Sequence, residues 1–407
     1  MTFPTVSKTV AGLTLAATLG VSTGALAQGA RVGAILPMTG ALAEYGEASL
    51  EAIRLAESQI NEQGGLLGGD LEVLIGDTQT SPQAGVAAAK QLVSANQVAG
   101  LIGALSSGVT IPVAQSVSSI SGVPQISSAS TAPAITTLED GDFLFRTTPN
   151  DALQGRVLGD LVNEEGYGTV AVIYVNNDYG LGQSEAFARR FGELGGTISS
   201  SIAYEEKQAS YRGELTRAAE GDPEALVLIA YPGDGIPIVR QSLEEGFFDK
   251  FIMTDGMKSE ELLAAIGGDF LNGTIGTAPE AVTDRPSTAN FREAFEAANG
   301  EPPNKPYMDT AYDATFLMAL AIQKAGSTDG AAVRDALREV ATPPGEVILP
   351  GEWEKAMGLL EQGQDIDYEG AAGNQNFDAA GDVPGTIGIW AITDGAIATQ
   401  RIVEPEL

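Results

Sequence analysis

Hydroxyl side chains cluster after two apolar segments in the first third of the chain. The segment VAGLIGAL at 98–105 is followed by Ser106 and Ser107, and a second hydroxyl-rich segment, VPQISSASTAPAIT, occupies 123–136. Each serine alone can be explained as a helix cap or a turn residue. Taken together, hydroxyls and free N–H groups at a helix N-terminus form an anion site that needs no cation. These two segments therefore predict a place for a small carboxylate.

Groups of a different chemistry follow three apolar segments in the second half of the chain. Tyr179 lies in YVNNDYG, Tyr231 in LIAYPGDG and Asp255 in FIMTDG. The tyrosines could be half-buried packing residues, and Asp255 could be a helix cap. Facing the hydroxyls across a cleft, they would suit a small zwitterion: the hydroxyls would take its carboxylate and Asp255 its ammonium.

Alternating strand-like and helix-like segments are expected to position these groups. RVGAILP at 31–37 leads into a helical pattern from 46 to 63, and the alternation continues with strands separated by helices around 82–95 and 109–121. The pattern restarts near 143–155, so we predict two α/β lobes with parallel sheets. The glycine- and proline-rich segments 343–351 and 370–385 are expected to connect the lobes. Ligands of such sheets bind beyond the carboxyl ends of the strands.

Composition excludes several function classes. The 407 residues include no cysteine and no histidine, and they carry a formal net charge of −32. Thiol nucleophiles, Ser-His-Asp triads and nearly all zinc sites are therefore excluded, and no cofactor is expected. The acidic charge argues against nucleic acid and anionic membranes as partners.

The N-terminal segment has the pattern of a secretory signal peptide. Lys8 precedes an apolar run from Val10 to about Val21, and Ala25-Leu26-Ala27 resembles a cleavage site. We predict a signal peptide over 1–27 and a mature chain that begins near Gln28 in the periplasm. The alternative is a membrane anchor, but the run is shorter than the roughly 20 residues that a span needs. Without a cysteine the protein cannot be a bacterial lipoprotein.

The order of several motifs resembles the periplasmic binding proteins of branched-chain amino acid ABC transporters, which have the type I periplasmic binding fold. The motifs run along nearly the whole mature chain: GAILPMTGALAEYGE, INEQGGLLGG, FRTTPNDALQG, VNNDYGLG and YEGAAGNQNFDAAGDV. The resemblance implies two Rossmann-like lobes joined by a three-segment hinge. It places 28–147 and 280–365 in the N-terminal lobe, and 148–279 and 366–407 in the C-terminal lobe.

The resemblance also implies how an amino acid would be bound. Ser107 would hold the α-carboxylate together with Ala129, Ser130 and Thr131. Asp255 would pair with the ammonium. The aromatic contacts would come from Tyr179 and Tyr231, which close over the ligand, and from Tyr45 in the side-chain pocket. The expected protein is a monomer that closes over its ligand and delivers it to a membrane permease.

Two features depart from the pattern, and two rival functions remain open. The segment 341–370 is longer than in the shortest family members, and Lys258 adds a cation with no assigned partner. One rival is a ligand sensor on the same fold, binding an amide or a small carboxylate for a receptor or regulator. The other is an enzyme that uses cleft carboxylates, which the absence of a catalytic motif disfavours.

Overall fold

A computed structural model describes residues 1–5 and 29–404. The predicted signal peptide, 1–27, lies almost wholly outside the described residues. Five parallel strands form the first sheet, in the order β2-β1-β3-β4-β5. They are β1 Ala30–Leu36, β2 Leu71–Asp77, β3 Gly100–Gly103, β4 Gln125–Ser127 and β5 Leu144–Arg146.

A second sheet begins after the first crossing of the chain. Its first five strands are β6 Thr169–Val175, β7 Thr197–Tyr204, β8 Ala225–Ile229, β9 Phe251–Met253 and β10 Ile275–Pro279. These strands pair in parallel. All five residues of β8 are buried, as a central strand covered on both faces requires.

The remaining strands divide between two sheets. A small third sheet contains β11 Glu346–Ile348, β12 Ile366–Gly370 and β13 Gly373–Asn374, and the strands β14 Ile387–Thr393 and β15 Ala396–Val403 extend the second sheet. The segment 343–351, expected as a connector between lobes, instead contributes β11 to this small sheet. Strand β14 pairs antiparallel with β10 and β15. The predicted parallel sheets are thus confirmed, with an antiparallel edge on the second.

Helices cover both sheets, and α12 is the most buried of the long ones. It packs between α1 and α13 and against β3 and β4, so closely that a Cβ on Gly100 would lie 2.2 Å from the sulfur of Met318. The helices are α1 Ala43–Glu62, α2 Pro82–Ser94, α3 Ser107–Val113, α4 Ser119–Ser121, α5 Asp151–Glu164, α6 Asp178–Glu193, α7 Arg212–Ala218, α8 Pro232–Glu245, α9 Glu260–Ile266, α10 Gly268–Leu271, α11 Pro286–Asn299, α12 Met308–Ala325, α13 Gly330–Ala341 and α14 Trp353–Glu361. The helix predicted over 109–121 is α3 and α4 joined by a π-helical turn at 114–118.

We call the first sheet with its helices the first lobe, and the second sheet with its helices the second lobe. The chain passes between them after β5, after β10 and before β14. At the second and third passages the backbone N–H of Glu280 donates to the carbonyl of Thr386 at 3.1 Å. The proposed lobe boundaries remain a prediction, although the pairing of β12 with β11 favours a third passage later than residue 365.

Candidate functional site

The carboxyl ends of the strands of both lobes meet at one pocket. The free volume enclosed there is about 20 Å³. Six of the eight predicted site residues line it, and the other two, Ser130 and Thr131, do not. The lining residues are Leu42, Tyr45, Leu105, Ser107, Ala129, Tyr179, Tyr231, Asp255, Gly256 and Tyr307.

On the first lobe, the serines after β3 begin α3. Ser107 is buried, and its hydroxyl accepts a hydrogen bond from the backbone N–H of Ala132 at 3.2 Å. The hydroxyl of the preceding Ser106 reaches across the pocket to that of Tyr231, 3.1 Å away. Neither hydroxyl caps α3, since no side-chain cap is formed there. The helix-cap alternative for these serines is therefore not what the geometry shows.

The segment after β4 turns some of its hydroxyls inward. The Ser130 hydroxyl bonds to the Leu105 carbonyl at 3.0 Å and to the Thr110 hydroxyl at 2.7 Å. The Ser127 hydroxyl donates to the Ala104 carbonyl at 2.7 Å. Ser130 is therefore placed to hold the segment against α3, which does not support the predicted ligand contact.

Thr131 is placed differently from Ser130. Its side chain is buried, and its hydroxyl forms no hydrogen bond of ordinary length with the described residues, but it lies close enough to the Asp151 carboxylate to act to lower the pKa of that group. An unsatisfied buried hydroxyl costs about 1–3 kcal/mol. A ligand atom that bonded to Thr131 on binding would remove that cost.

Arg146 holds the segment after β4 in place. Its guanidinium is fully buried and forms a bidentate ion pair with Asp382, both N–O distances being 2.7 Å. The same guanidinium donates to the carbonyls of Ser130 and Ala132, at 3.2 and 3.0 Å. Because Asp382 lies in the third passage between the lobes, the ion pair ties the hydroxyl segment to the hinge region.

On the second lobe, Asp255 is the centre of a donor cluster in the turn after β9. Its Oδ1 accepts from the Gln154 amide at 2.8 Å and the Tyr179 hydroxyl at 2.9 Å, and its Oδ2 accepts from the Tyr307 hydroxyl at 2.5 Å. Burial raises the pKa of Asp255, while the bonds from Tyr307, Gln154 and Tyr179 act to lower it. A cation near these oxygens would favour the charged form further.

Four tyrosines lie around the pocket, and Tyr45 among them belongs to α1 of the first lobe. We call the side of the pocket built around Asp255 the second wall, and the side built by Ser107 and the segment after β4 the first wall. The rings of Tyr179 and Tyr231 stack with centroids 5.4 Å apart and an interplanar angle of 12°. The Tyr45 ring meets that of Tyr307 edge-on at 6.5 Å. All four side chains are buried and keep a polar tip for hydrogen bonding.

Sequence reasoning missed Tyr307 and Asp151. Tyr307 precedes α12 with a left-handed φ of 70°, a conformation that its apolar neighbours did not reveal. Asp151 lies within the motif FRTTPNDALQG, but the sequence predicted no role for it. Its backbone N–H donates to the carbonyl of Thr131 at 2.8 Å, which puts the two residues side by side.

Asp151 is a second buried carboxylate beside Asp255. Neither of its oxygens forms a hydrogen bond of ordinary length with the described residues, although the nearby Thr131 hydroxyl acts to lower its pKa. Burial, and then the charge of Asp255, raise the pKa of Asp151 well above its usual range. Signals for it were available, because an acid in the passage after β5 must lie near the strand ends.

Lys258 does not belong to the pocket. Its ammonium lies 2.7 Å from Glu280 Oε2, and both residues line a larger cavity of about 290 Å³ near the passages between the lobes. The cation is therefore neutralised outside the predicted ligand site. Within residues 1–5 and 29–404, no cluster of acidic side chains has the form of a metal site. In that same part of the chain, every helix is too short or too polar to cross a bilayer.

The comparisons with known proteins agree on one family. A family model described as "Periplasmic binding protein" matches residues 29–357. Leu/Ile/Val-binding protein homolog 1 of Brucella suis is 31% identical over 322 residues, which cover 76% of this chain and 82% of that protein.

Two further relatives extend the coverage. The chemotactic signal transduction system substrate-binding protein BasB of Halobacterium salinarum is 27% identical over 381 residues, covering 92% of this chain and 89% of that protein. The crystal structure of the leucine binding protein LivK of Thermotoga maritima superposes with a TM-score of 0.79 at 23% identity, covering 92% of this chain and 99% of that chain. Each of these relatives is named as a binding protein.

Proposed function

The chain belongs to the periplasmic binding protein family, and from that premise we propose that it captures an amino acid, by default leucine, isoleucine or valine, and delivers it to an ABC permease. Capture takes place by closure of the two lobes over the strand-end pocket. The membership itself confirms the resemblance found in the sequence motifs.

One observation carries the proposal: Asp255 is the single charged residue among the described residues that line the pocket, which it shares with Ser107 and Ala129. A zwitterion has one cationic and one anionic end, and the pocket offers one buried carboxylate opposite hydroxyl and N–H groups. Closure excludes water and so strengthens both interactions.

The walls have separate tasks in this scheme. The ligand carboxylate binds at Ser107 and at the N–H groups that begin α3, while the Thr131 hydroxyl gains its missing partner. The ammonium binds at Asp255, where the stacked Tyr179 and Tyr231 cover it. Asp151 lies beside Thr131, where its raised pKa favours the uncharged carboxyl group.

A thermal-shift series tests the proposal with the full-length mature protein. It compares leucine with 4-methylpentanoate, which lacks the ammonium, and with 3-methylbutylamine, which lacks the carboxylate. Leucine at a hundred times its Kd should add about 2.7 kcal/mol of stability, and each analogue should add far less. Stabilisation by 4-methylpentanoate alone would instead favour a small carboxylate as the ligand, and no shift with any amino acid would contradict the proposal.

A second candidate function is ligand sensing for a membrane receptor. The similarity to BasB, named for chemotactic signal transduction, favours it. A strain lacking this gene separates the two: loss of uptake of the radiolabelled ligand supports transport, whereas loss of taxis toward it with normal uptake supports sensing.

Export to the periplasm forms part of the same proposal. N-terminal sequencing of the protein from the periplasmic fraction should give a chain that begins near Gln28. Retention of Met1 in the cytoplasmic fraction would contradict it.

A further inference from the structure

Two consecutive residues of α1 reach from the first lobe to one segment of the second. The Tyr45 hydroxyl lies 3.4, 3.3 and 3.2 Å from the backbone carbonyl oxygens of Asp255, Gly256 and Lys258. The Glu44 carboxylate accepts a hydrogen bond from the Ser259 hydroxyl at 2.5 Å. The segment 255–259 is the one that carries Asp255, so these contacts hold the second wall of the pocket against the first lobe.

The contact between Glu44 and Ser259 is buried and well supported. Glu44 is 6% exposed and Ser259 fully buried. The Ser259 hydroxyl also accepts from the backbone N–H groups of Glu261 and Leu262, so its orientation is fixed before it meets Glu44. Lys305, 3.9 Å from the other Glu44 oxygen, partly balances the buried charge.

Neither Glu44 nor Ser259 lines the ligand pocket. Their bond spans the two lobes and must break when the lobes separate. Its free energy therefore adds to the closed form alone, whatever ligand is present.

We propose that Glu44 and Ser259 form a latch that sets the fraction of closed protein, making Glu44 a positioning residue for ligand affinity. The inference rests on the proposed function, because it assumes that the closed form is the binding form. The apparent Kd is the intrinsic Kd divided by the fraction of competent protein. Loss of the latch should therefore weaken every ligand by the same factor.

The test uses Glu44→Ala, Ser259→Ala and the double variant, with Glu47→Ala as the matched control, since Glu47 is exposed on the same helix. Calorimetry should show Kd raised about threefold to tenfold by each single variant, with little further loss in the double variant. Ser259→Thr, which keeps the hydroxyl, should restore affinity. Small-angle X-ray scattering of the unliganded protein should show a larger radius of gyration for the Ala variants than for wild type or Glu47→Ala.

The two readouts separate failure of the latch from failure of the proposed function. Unchanged scattering and unchanged Kd in Glu44→Ala would overturn the latch while leaving ligand binding intact. A Kd that rises for one ligand but not for others would also overturn it, because a latch acts on all ligands alike. If no amino acid binds the wild type, the proposed function fails, and the scattering comparison alone still decides whether the latch exists.

Discussion

The two walls of the pocket are built by different means. The first wall is held in place by contacts to the backbone. The Ser127 and Ser130 hydroxyls bond to backbone carbonyls of neighbouring residues, and the Arg146 guanidinium donates to two carbonyls of the same segment. The second wall is a side-chain wall, where Asp255 is oriented by Gln154, Tyr179 and Tyr307. The difference indicates that changes in the first wall act mainly on stability, and changes in the second mainly on affinity.

The largest expected effect is on stability and comes from the support of the first wall. Asp382→Asn leaves the fully buried Arg146 guanidinium without its counter-charge. Breaking a buried pair in this way costs about 3–5 kcal/mol, measured as the free energy of unfolding in urea. The exposed ion pair of Arg31 and Glu72 supplies the control, since Glu72→Gln should change stability by less than about 1 kcal/mol. Similar losses in the two variants would contradict the role of the buried pair.

Asp255→Ala should show the next largest effect, on affinity. Removing the carboxylate leaves a ligand ammonium buried and unpaired, which costs about 3 kcal/mol or more. Calorimetry should therefore show Kd raised at least about a hundredfold. Asp249→Ala is the control, because Asp249 is an exposed acid at the other end of β9. If Asp255→Ala bound the ligand as tightly as wild type, the Asp255 charge would not contribute to ligand affinity.

Thr131→Val tests the one hydroxyl of the first-wall segment that is proposed to meet the ligand. A bond from a hydroxyl to a charged group contributes about 1.5–3 kcal/mol, so Kd should rise at least about tenfold. The unliganded protein should lose little stability, since the hydroxyl forms no hydrogen bond of ordinary length in it. A lower melting temperature with unchanged Kd would place Thr131 with the structural hydroxyls instead.

Ser130→Ala should have the smallest effect on binding. Its hydroxyl bonds within the first lobe, so the variant should lose about 1 kcal/mol of stability and keep Kd within about twofold. Denaturant titration and calorimetry on the same preparation measure both. A large rise in Kd at full stability would return Ser130 to the ligand contacts predicted from the family resemblance.

Sequence patterns predicted the strand ends well because buried parallel strands are short apolar runs with clear limits. The hydroxyls, Tyr179, Tyr231 and Asp255 at those ends followed from the patterns, whereas Ala129 and Tyr45 were predicted from the family resemblance. Six of the eight predicted residues line one pocket. Patterns did not separate Ser130 from Thr131, because irregular backbone after β4 has no period that tells which side chain turns inward. Tyr307 was missed because its position depends on a single left-handed φ. The partner of Lys258 was missed because Glu280 lies 22 residues away in the chain.

The donor cluster around Asp255 also bears on how such a protein changes during evolution. The side-chain bonds to its carboxylate come from residues of three separate elements. The first wall, in contrast, is joined to the hinge region through the buried ion pair of Arg146 and Asp382. Under the proposed function, selection for a new solute can therefore act by single substitutions around Asp255 while the buried pair of Arg146 and Asp382 is kept, so that related proteins can differ in their ligand and share one fold.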